Sequence, residues 1–340
     1  NRGDSAEAYV YDGGGLRRGE VDLAREAEKS LRGVAAVGCV SPDGGCCAEF
    51  PGGVRCGFSG TYVELGRDGV LRAKRGAQLW HLAVGVHGFD FAIVATESAA
   101  VEILGGEVRR SLAPGEEVEI TELSVKARGV GPRGPLCALE FIYTARPDSR
   151  IDGVEVAAVR AKVAEKLAAK IGVVPDVVVG VPETGSYYAA HIAAVLGKPY
   201  IPAFVATARG RSALLDELRE RMAVIQLKAN VIESAVRGRK VLLVDDSIIS
   251  GTTLRLIAKL LKEKGGALEV HAAVVAPPLR RRCPYGIKMP PASHMIFNAV
   301  LPDDVKHVLE LDGLTFLSWE ELEEVFKELG FSVCTLCMRA

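Results

Sequence analysis

Apolar positions along the chain fall into two regimes. Through residue 150 they come as short runs, at 34–40, 82–86 and 91–95, between punctuation such as Asp43-Gly44-Gly45 and Pro51-Gly52-Gly53. Such runs between turn-forming residues predict a β-rich, glycine-rich region of short strands. From 151 onward the spacing changes. Val156, Val159, Val163 and Leu167 recur at three- and four-residue intervals, with Asp152 placed to cap a helix and Gly172 to stop it. Continuously apolar runs then appear at 176–181, 241–244 and 270–276, the last halted by Pro277-Pro278. Helices are predicted between and after them at 189–196 and at 254–264, where Ile257, Leu260 and Leu261 share a face and Gly265 closes the turn. Buried strands alternating with helices predict an α/β class, a parallel sheet with helices on both faces. An acidic helix over 319–329 and a two-cysteine turn close the sequence. The pattern divides the chain into 1–150, 151–300 and a C-terminal helix and tail over 301–340.

The chain has 340 residues, long enough for two buried cores. Its 42 Lys and Arg nearly balance 43 Asp and Glu, which argues against a non-specific nucleic-acid or membrane-surface binder. No apolar run approaches the ~18 residues of a spanning helix. Asn1-Arg2-Gly3-Asp4-Ser5 lacks a secretory signal's basic-then-apolar pattern, so a cytoplasmic location is expected. Asparagine (Asn1, Asn230, Asn298) and glutamine (Gln78, Gln226) are sparse. Depletion of these thermolabile amides points to a thermophilic source, and a GC-rich genome would contribute to it. The eight cysteines more often mark metal binding or catalysis than disulfides in a cytosol, hyperthermophiles excepted.

The most informative stretch runs from Val241 to Thr253. A buried strand, Val241-Leu242-Leu243-Val244, delivers Asp245-Asp246, and Ser247-Ile248-Ile249-Ser250-Gly251 leads into a helix opened by Thr252-Thr253. Open α/β sheets bind ligands beyond the carboxyl ends of their strands, and a helix N-terminus with an adjacent glycine suits a phosphate. The paired carboxylates would repel a bare phosphate, so they address something else: sugar hydroxyls, a cation or developing positive charge. No Gly-Lys-Ser/Thr and no Gly-x-Gly-x-x-Gly after a strand is present. The plainer alternative is an acidic strand end followed by a threonine-capped helix.

This stretch resembles the 5-phosphoribosyl-1-pyrophosphate (PRPP) signature of type I phosphoribosyltransferases. Its flanks are similar to glutamine phosphoribosylpyrophosphate amidotransferases, the family that makes phosphoribosylamine at the first committed step of purine synthesis. Ala145-Arg146-Pro147-Asp148-Ser149 with Ile151-Asp152-Gly153 looks like the entry to that family's transferase domain, and Val181-Pro182-Glu183-Thr184-Gly185 like its pyrophosphate loop. Ala276-Pro277-Pro278-Leu279-Arg280 through Cys283-Pro284-Tyr285-Gly286-Ile287 resembles a characteristic downstream segment. The resemblance implies that Asp245 and Asp246 contact the ribose hydroxyls, support an oxocarbenium-like transition state and meet Mg²⁺. It implies that Ser247, Ser250, Gly251, Thr252 and Thr253 hold the 5-phosphate, and that Glu183, Thr184 and Gly185 hold the pyrophosphate. The family usually has Asp-Ser-Gly at Glu183-Thr184-Gly185 and an arginine at Ser250, departures that bear on affinity. The segment from Ala208-Arg209-Gly210-Arg211 through Arg221 to Lys228-Ala229-Asn230 resembles the loop that closes over PRPP and excludes water; residues 214–222 equally suit a charged surface helix.

Cys137, Cys283 and the pair Cys334-Thr335-Leu336-Cys337 fall where some family members hold a [4Fe–4S] cluster. By count, four thiolates suit iron–sulfur and zinc equally; the resemblance favours a cluster, pinning the tail, over zinc or disulfides. Cys39, Cys46, Cys47 and Cys56 have no such framework and are expected as small buried hydrophobes or adventitious disulfides.

Before residue 137 the resemblance is to a shortened, degenerate N-terminal-nucleophile glutaminase domain. Asn1 through Ala6 looks like an internal segment of that domain. Thr96-Glu97-Ser98, Leu104-Gly105-Gly106 and Ala113-Pro114-Gly115-Glu116 look like its closing strands. Asn1 is no nucleophile, the glutamine-holding arginine is replaced around Ser41, and the oxyanion Asn-Gly is Ser59-Gly60. The expected activity is thus phosphoribosyl transfer from PRPP to ammonia, fed by a separate glutaminase, in a homo-oligomer without nucleic-acid or membrane partners. The alternatives are a non-catalytic PRPP- or nucleotide-binding regulator and an iron–sulfur scaffold of the same descent. Loss of the nucleophile removes the thioester route, and loss of one oxyanion donor costs ~10²–10³ in rate. Glutamine is therefore expected to yield no glutamate with this chain alone, with or without PRPP. PRPP-stimulated glutamate release, or stoichiometric cysteine labelling by diazo-oxo-norleucine, would overturn that expectation.

Overall fold

The computed structural model describes residues 7–11, 16–19, 35–39, 47–50, 53–58, 60–68, 70–76, 80–88, 91–121, 124–132, 134–206, 229–285, 287 and 289–339. Two compact units emerge, one of residues 1–137 with 145–156 and one of residues 138–144 with 157–340. Ser41, Ser59, Cys46 and the expected closing loop over 208–228 lie outside the described residues. For Cys39, Cys47 and Cys56 only the backbone is described.

In the first unit, β1 (Glu7–Tyr11) pairs with β2 (Leu16–Gly19) and β3 (Ala35–Cys39). A six-stranded sheet contains β4 (Cys47–Phe50), β5 (Gly53–Phe58), β6 (Thr61–Gly66), β7 (Leu71–Lys74), β11 (Glu117–Ile120) and β12 (Val125–Arg128), in the order β12-β11-β7-β6-β5-β4. A three-stranded sheet sets β8 (Ala83–His87) between β9 (Phe91–Ala95) and β10 (Glu107–Ser111). Alternation on these strands separates two small cores. Leu82, Leu112, Ala73, Val118 and Ile120 form one, while Ala83, Ile93 and Val101 form the other, under helix α1 (Ser98–Ile103). The segment at 96–98, expected in a strand, thus turns into a helix. The runs at 82–86 and 91–95 do form neighbouring strands.

β13 (Leu136–Cys137) is followed by the hairpin of β14 (Arg150–Ile151) and β15 (Val154–Glu155). Asp152 lies in that hairpin's turn with φ +51, so it does not cap the helix. Its carboxylate accepts hydrogen bonds from Arg75 Nη1 at 2.5 Å and Nη2 at 2.9 Å. Arg75 is buried and the Asp152 side chain largely so, and pairing prevailed over local capping.

In the second unit, helix α2 (Val156–Ala168) forms as the three- and four-residue spacing predicts. It leads to a parallel sheet of β16 (Val177–Gly180), β19 (Lys240–Asp245), β20 (Glu269–Val274) and β21 (Gly313–Phe316), in that spatial order. The hairpin β17 (Phe204–Ala206) and β18 (Ala229–Val231) lies outside it. Val177, Val179, Val241, Leu243, Val270 and Ala272 share a core with Leu254 and Ile257 of α5 (Thr252–Lys259) and with Val236 of the short α4 (Glu233–Val236). The alternate residues Val178, Leu242, Val244 and Ala273 are equally buried, and α3 (Thr184–Leu196) packs on β16 and β19. Both faces are covered, as the near-continuous apolar runs required.

After the short α6 (Val305–Val308), helix α7 (Trp319–Glu328) begins at Ser318. The Ser318 hydroxyl accepts from Glu321 N, and the Glu321 carboxylate accepts from Ser318 N, a reciprocal cap. Phe326 of this helix and Phe331 after it pack on Phe141 at centroid distances of 5.4 and 5.5 Å. β22 (Val333–Cys334) then leads into the tail.

Candidate functional site

The carboxyl edge of the parallel sheet gathers the residues singled out in the sequence. β16 and β19 are adjacent, so the segments after them, 181–185 and 246–251, leave the sheet side by side. Their approach requires glycine. A Cβ on Gly185 would stand 2.5 Å from Val244 O and 3.2 Å from Asp245 Cα. Val181 N also donates to Val244 O at 2.8 Å. Helix α3 consequently begins at Thr184, five residues ahead of its predicted start.

Asp245 and Asp246 are both buried, at 7% and 9% exposure. They are also held by the backbone: Val275 N donates to Asp245 O and Ala276 N to Asp246 O, at 3.1 and 2.8 Å. Asp245 Oδ1 turns back to accept from Asp246 N at 2.9 Å. Asp246 Oδ1 accepts from the Ser247 hydroxyl at 2.6 Å, and its carboxylate also interacts with the Thr184 hydroxyl. Burial, and then the neighbouring Asp246 charge, push the Asp245 carboxyl well above its ordinary range. Burial likewise raises Asp246, to about 6, against the opposing effects of Ser247, the Arg160 guanidinium and Thr184.

Arg160 was not legible as a site residue. It lies on α2, 2% exposed, donating through Nε to Phe141 O at 2.8 Å and through Nη2 to Tyr143 O at 3.3 Å. Its guanidinium carbon is 5.9 and 5.8 Å from the ring centres of Tyr187 and Tyr188. The available signal was a single cation next to Val159 on the helix's buried face.

Beyond the carboxylates the chain turns as a loop would around an anion. Ile248 is buried, and Ile296 N donates to Ile249 O at 2.8 Å. Gly251 takes φ +76, and a Cβ there would meet Leu309 Cδ2 at 2.5 Å, so glycine answers both the conformation and the contact. Ser250 Oγ and Thr252 Oγ1 are 3.1 Å apart and exposed, next to the first turn of α5. Thr253 is exposed in the same turn. A buried acid pair thus stands beside a hydroxyl-rich helix N-terminus on one sheet edge. That arrangement can hold a phosphorylated sugar and stabilise positive charge on its ring.

The cysteines divide between the units. Cys137 is buried in the first. In the second, Cys283, Cys334 and Cys337 form no disulfide. Burial, followed by the neighbouring Cys283 and Cys334 sulfurs, pushes the Cys337 thiol up to about 12. Tyr285 N donates to Cys283 Sγ at 3.4 Å, and Arg280 N and Arg281 N both donate to Cys337 O, at 2.9 and 3.1 Å. Among the described residues no three His, Cys, Asp or Glu side chains stand in metal-holding geometry. The donor chemistry of three neighbouring unbridged thiols nevertheless suits a thiophilic metal group.

Residues 153–294 match the phosphoribosyl transferase domain family. The amidophosphoribosyltransferase of Escherichia coli K12 is 37% identical over 239 residues, 68% of this chain and 47% of that protein. The one from Archaeoglobus fulgidus is 35% identical over 254 residues, 73% and 55% of the two chains. A solved structure described as the allosteric regulatory enzyme of purine biosynthesis superposes with a TM-score of 0.72 at 29% identity, over 82% of this chain and 61% of that one. The glutamine PRPP amidotransferase of B. subtilis, solved with ADP and GMP, shares the fold at a TM-score of 0.72 and 24% identity, over 98% and 75% of the chains. The chain spans about half the length of the curated relatives it matches.

Burial of Asp246 gives a prediction about stability without ligand. Its carboxyl titrates near 6 when folded, against 3.8 for the ordinary group. The folded state therefore binds the proton more tightly, and stability falls as pH rises between those values. Asp246→Asn should raise the melting temperature at pH 7.5 by roughly 2–4 °C, with the gain vanishing below about pH 4. Calorimetry of both proteins from pH 4 to 8 checks this. A gain independent of pH would mean that charge burial is not its cause.

Proposed function

We propose that this chain, a relative of the amidophosphoribosyltransferases with a phosphoribosyl transferase domain at 153–294, transfers the phosphoribosyl group of PRPP to ammonia. The products are 5-phosphoribosylamine and pyrophosphate, the entry to purine synthesis. The observation that carries this reading is the buried Asp245–Asp246 pair beside the 247–253 turn. A phosphate-binding regulator needs the turn and has less use for two acids at the ribose.

Ser247, Ser250, Gly251, Thr252 and Thr253 would receive the 5-phosphate through hydroxyls and helix N–H groups. Glu183, Thr184 and Gly185 would line the pyrophosphate side. Thr184 supports both roles, since its hydroxyl interacts with Asp246. Asp246 would accept from a ribose hydroxyl, with the Asp246 charge placed to stabilise the ring as positive charge develops at C1. Ammonia forms the new C1–N bond as the bond to the pyrophosphate oxygen breaks, and the excess proton leaves the ammonium product to solvent. Asp245 and Asp246 would hold Mg²⁺ brought with the substrate, which would supply positive charge to balance the leaving pyrophosphate. Positioning and charge stabilisation suffice, without a covalent intermediate.

The neighbouring Cys283, Cys334 and Cys337 support a [4Fe–4S] centre, with Cys137 as the fourth thiolate that the family resemblance implies. A cluster there would anchor the tail structurally and require the thiols to lose their protons.

Two measurements test this reading. The chain, incubated with PRPP, Mg²⁺ and ammonium, should release pyrophosphate, and Asp246→Asn should lower kcat roughly 100-fold or more while PRPP affinity falls much less. PRPP binding without pyrophosphate release would favour the non-catalytic regulator or scaffold. Protein purified without oxygen should be brown, with iron and acid-labile sulfide in equal amounts, both reduced in Cys334→Ser and Cys337→Ser. Zinc without sulfide in a colourless preparation would overturn the cluster.

A further inference from the structure

The first unit sets a hydroxyl on a cavity that phosphoribosyl transfer does not use, with a buried imidazole behind it. Strand β8 lies between β9 and β10, so Ala83 faces Ser111 on one side and Ala95 on the other. His81, two residues before Ala83, therefore reaches the same end of the sheet as Ser111 and Thr96. The imidazole is completely buried. Its Nδ1 lies 3.2 Å from Thr96 O, which only accepts, so Nδ1 carries the proton. Nε2 is left to accept from the Ser111 hydroxyl 2.7 Å away. This is the contact of a nucleophile with its base, and the backbone carbonyl fixes the tautomer.

Burial keeps His81 neutral by lowering its pKa. Asp152 Oδ1 lies 3.8 Å from Nε2, but that carboxylate is held by Arg75 through two hydrogen bonds. Ser111 is only partly buried and lines a cavity of about 550 Å³, within the range of small-molecule sites. Val108, Leu112 and Pro114 give it apolar walls. Its rim arginines are already matched, Arg110 by Glu116 at 2.6 Å and Arg150 by Glu155 at 3.7 Å, which disfavours a charged acyl group. One buried donor stays unmatched: Arg75 lines the same cavity, and its Nε has no hydrogen-bond partner among the described residues.

We propose that Ser111 and His81 form a nucleophile–base pair that accepts small, uncharged acyl esters from this cavity. Ser111 Oγ bonds to the ester carbonyl carbon while its proton passes to His81 Nε2. The bond to the alcohol oxygen breaks, and that oxygen takes the proton from Nε2. Water then adds to the acyl-serine, losing a proton to the same nitrogen, and releases the carboxylic acid as Ser111 Oγ recovers its proton. The sum is one ester and one water to one acid and one alcohol, and the Nε–H of the cavity-lining Arg75 is the candidate donor for charge developing on the carbonyl oxygen.

The test uses the full chain, a fluorophosphonate probe and p-nitrophenyl butyrate. One probe per chain should attach, mapped to Ser111 by peptide mass. Butyrate hydrolysis should fall at least tenfold in Ser111→Ala and in His81→Gln, with thermal unfolding of Ser111→Ala confirming that the unit remains folded. The wild-type labelling result stands even if His81→Gln does not fold. Absence of label at Ser111 in the folded wild type, label at another serine, or hydrolysis undiminished in Ser111→Ala would each overturn the assignment.

Discussion

Two carboxylates withdrawn from water at the end of one strand are the constraint around which the second unit is arranged. Such groups are tolerated only where partners reach them. Around Asp246 those partners come from separate parts of the chain: Thr184 from the start of α3, Ser247 from its own loop, and the Arg160 charge from α2. Arg160 is in turn fixed by the carbonyls of Phe141 and Tyr143. The Tyr188 hydroxyl donates to Ile142 O at 2.9 Å in the same short segment. The segment at 138–144 thus holds the cation that moderates the acid pair.

Much of this architecture was legible because a doubly covered parallel sheet writes itself as continuous β-branched runs. Strands β16, β19 and β20 read directly from the sequence. β21 did not, because Gly313-Leu314-Thr315-Phe316 is half-buried at a sheet edge and carries no such run. The first turn of α3 was hidden for a different reason. Thr184-Gly185-Ser186 reads as a turn by composition, and only the proximity of Val244 O explains a glycine inside that helix. Asp152 was assigned by local chemistry to a helix cap, whereas Arg75, distant in sequence, claimed its carboxylate. The last two misses are contacts between residues far apart along the chain, which periodicity does not encode.

The site residues were legible as a motif, and their geometry was not. Thirteen consecutive residues announced the acid pair and the anion turn. Nothing in them showed that Asp245 would fold back on the Asp246 amide, leaving Asp246 as the more engaged of the two. The first unit gives the converse case. Its sequence pointed to lost glutaminase chemistry, while its strand register joined His81 and Ser111, residues that no short motif links.

The three phenyl rings of Phe141, Phe326 and Phe331 have a consequence for biosynthesis. The first lies in the segment that opens the second unit, and the other two are made nearly 190 residues later. Closure between such distant positions is slow in any chain, because loop entropy is lost before the contact forms. During translation, the parallel sheet can assemble while Phe141 still lacks its two partners. Until Phe326 and Phe331 have been made, Phe141 lacks its ring partners, and an apolar seam left open in this way is the kind of surface through which partly folded chains aggregate.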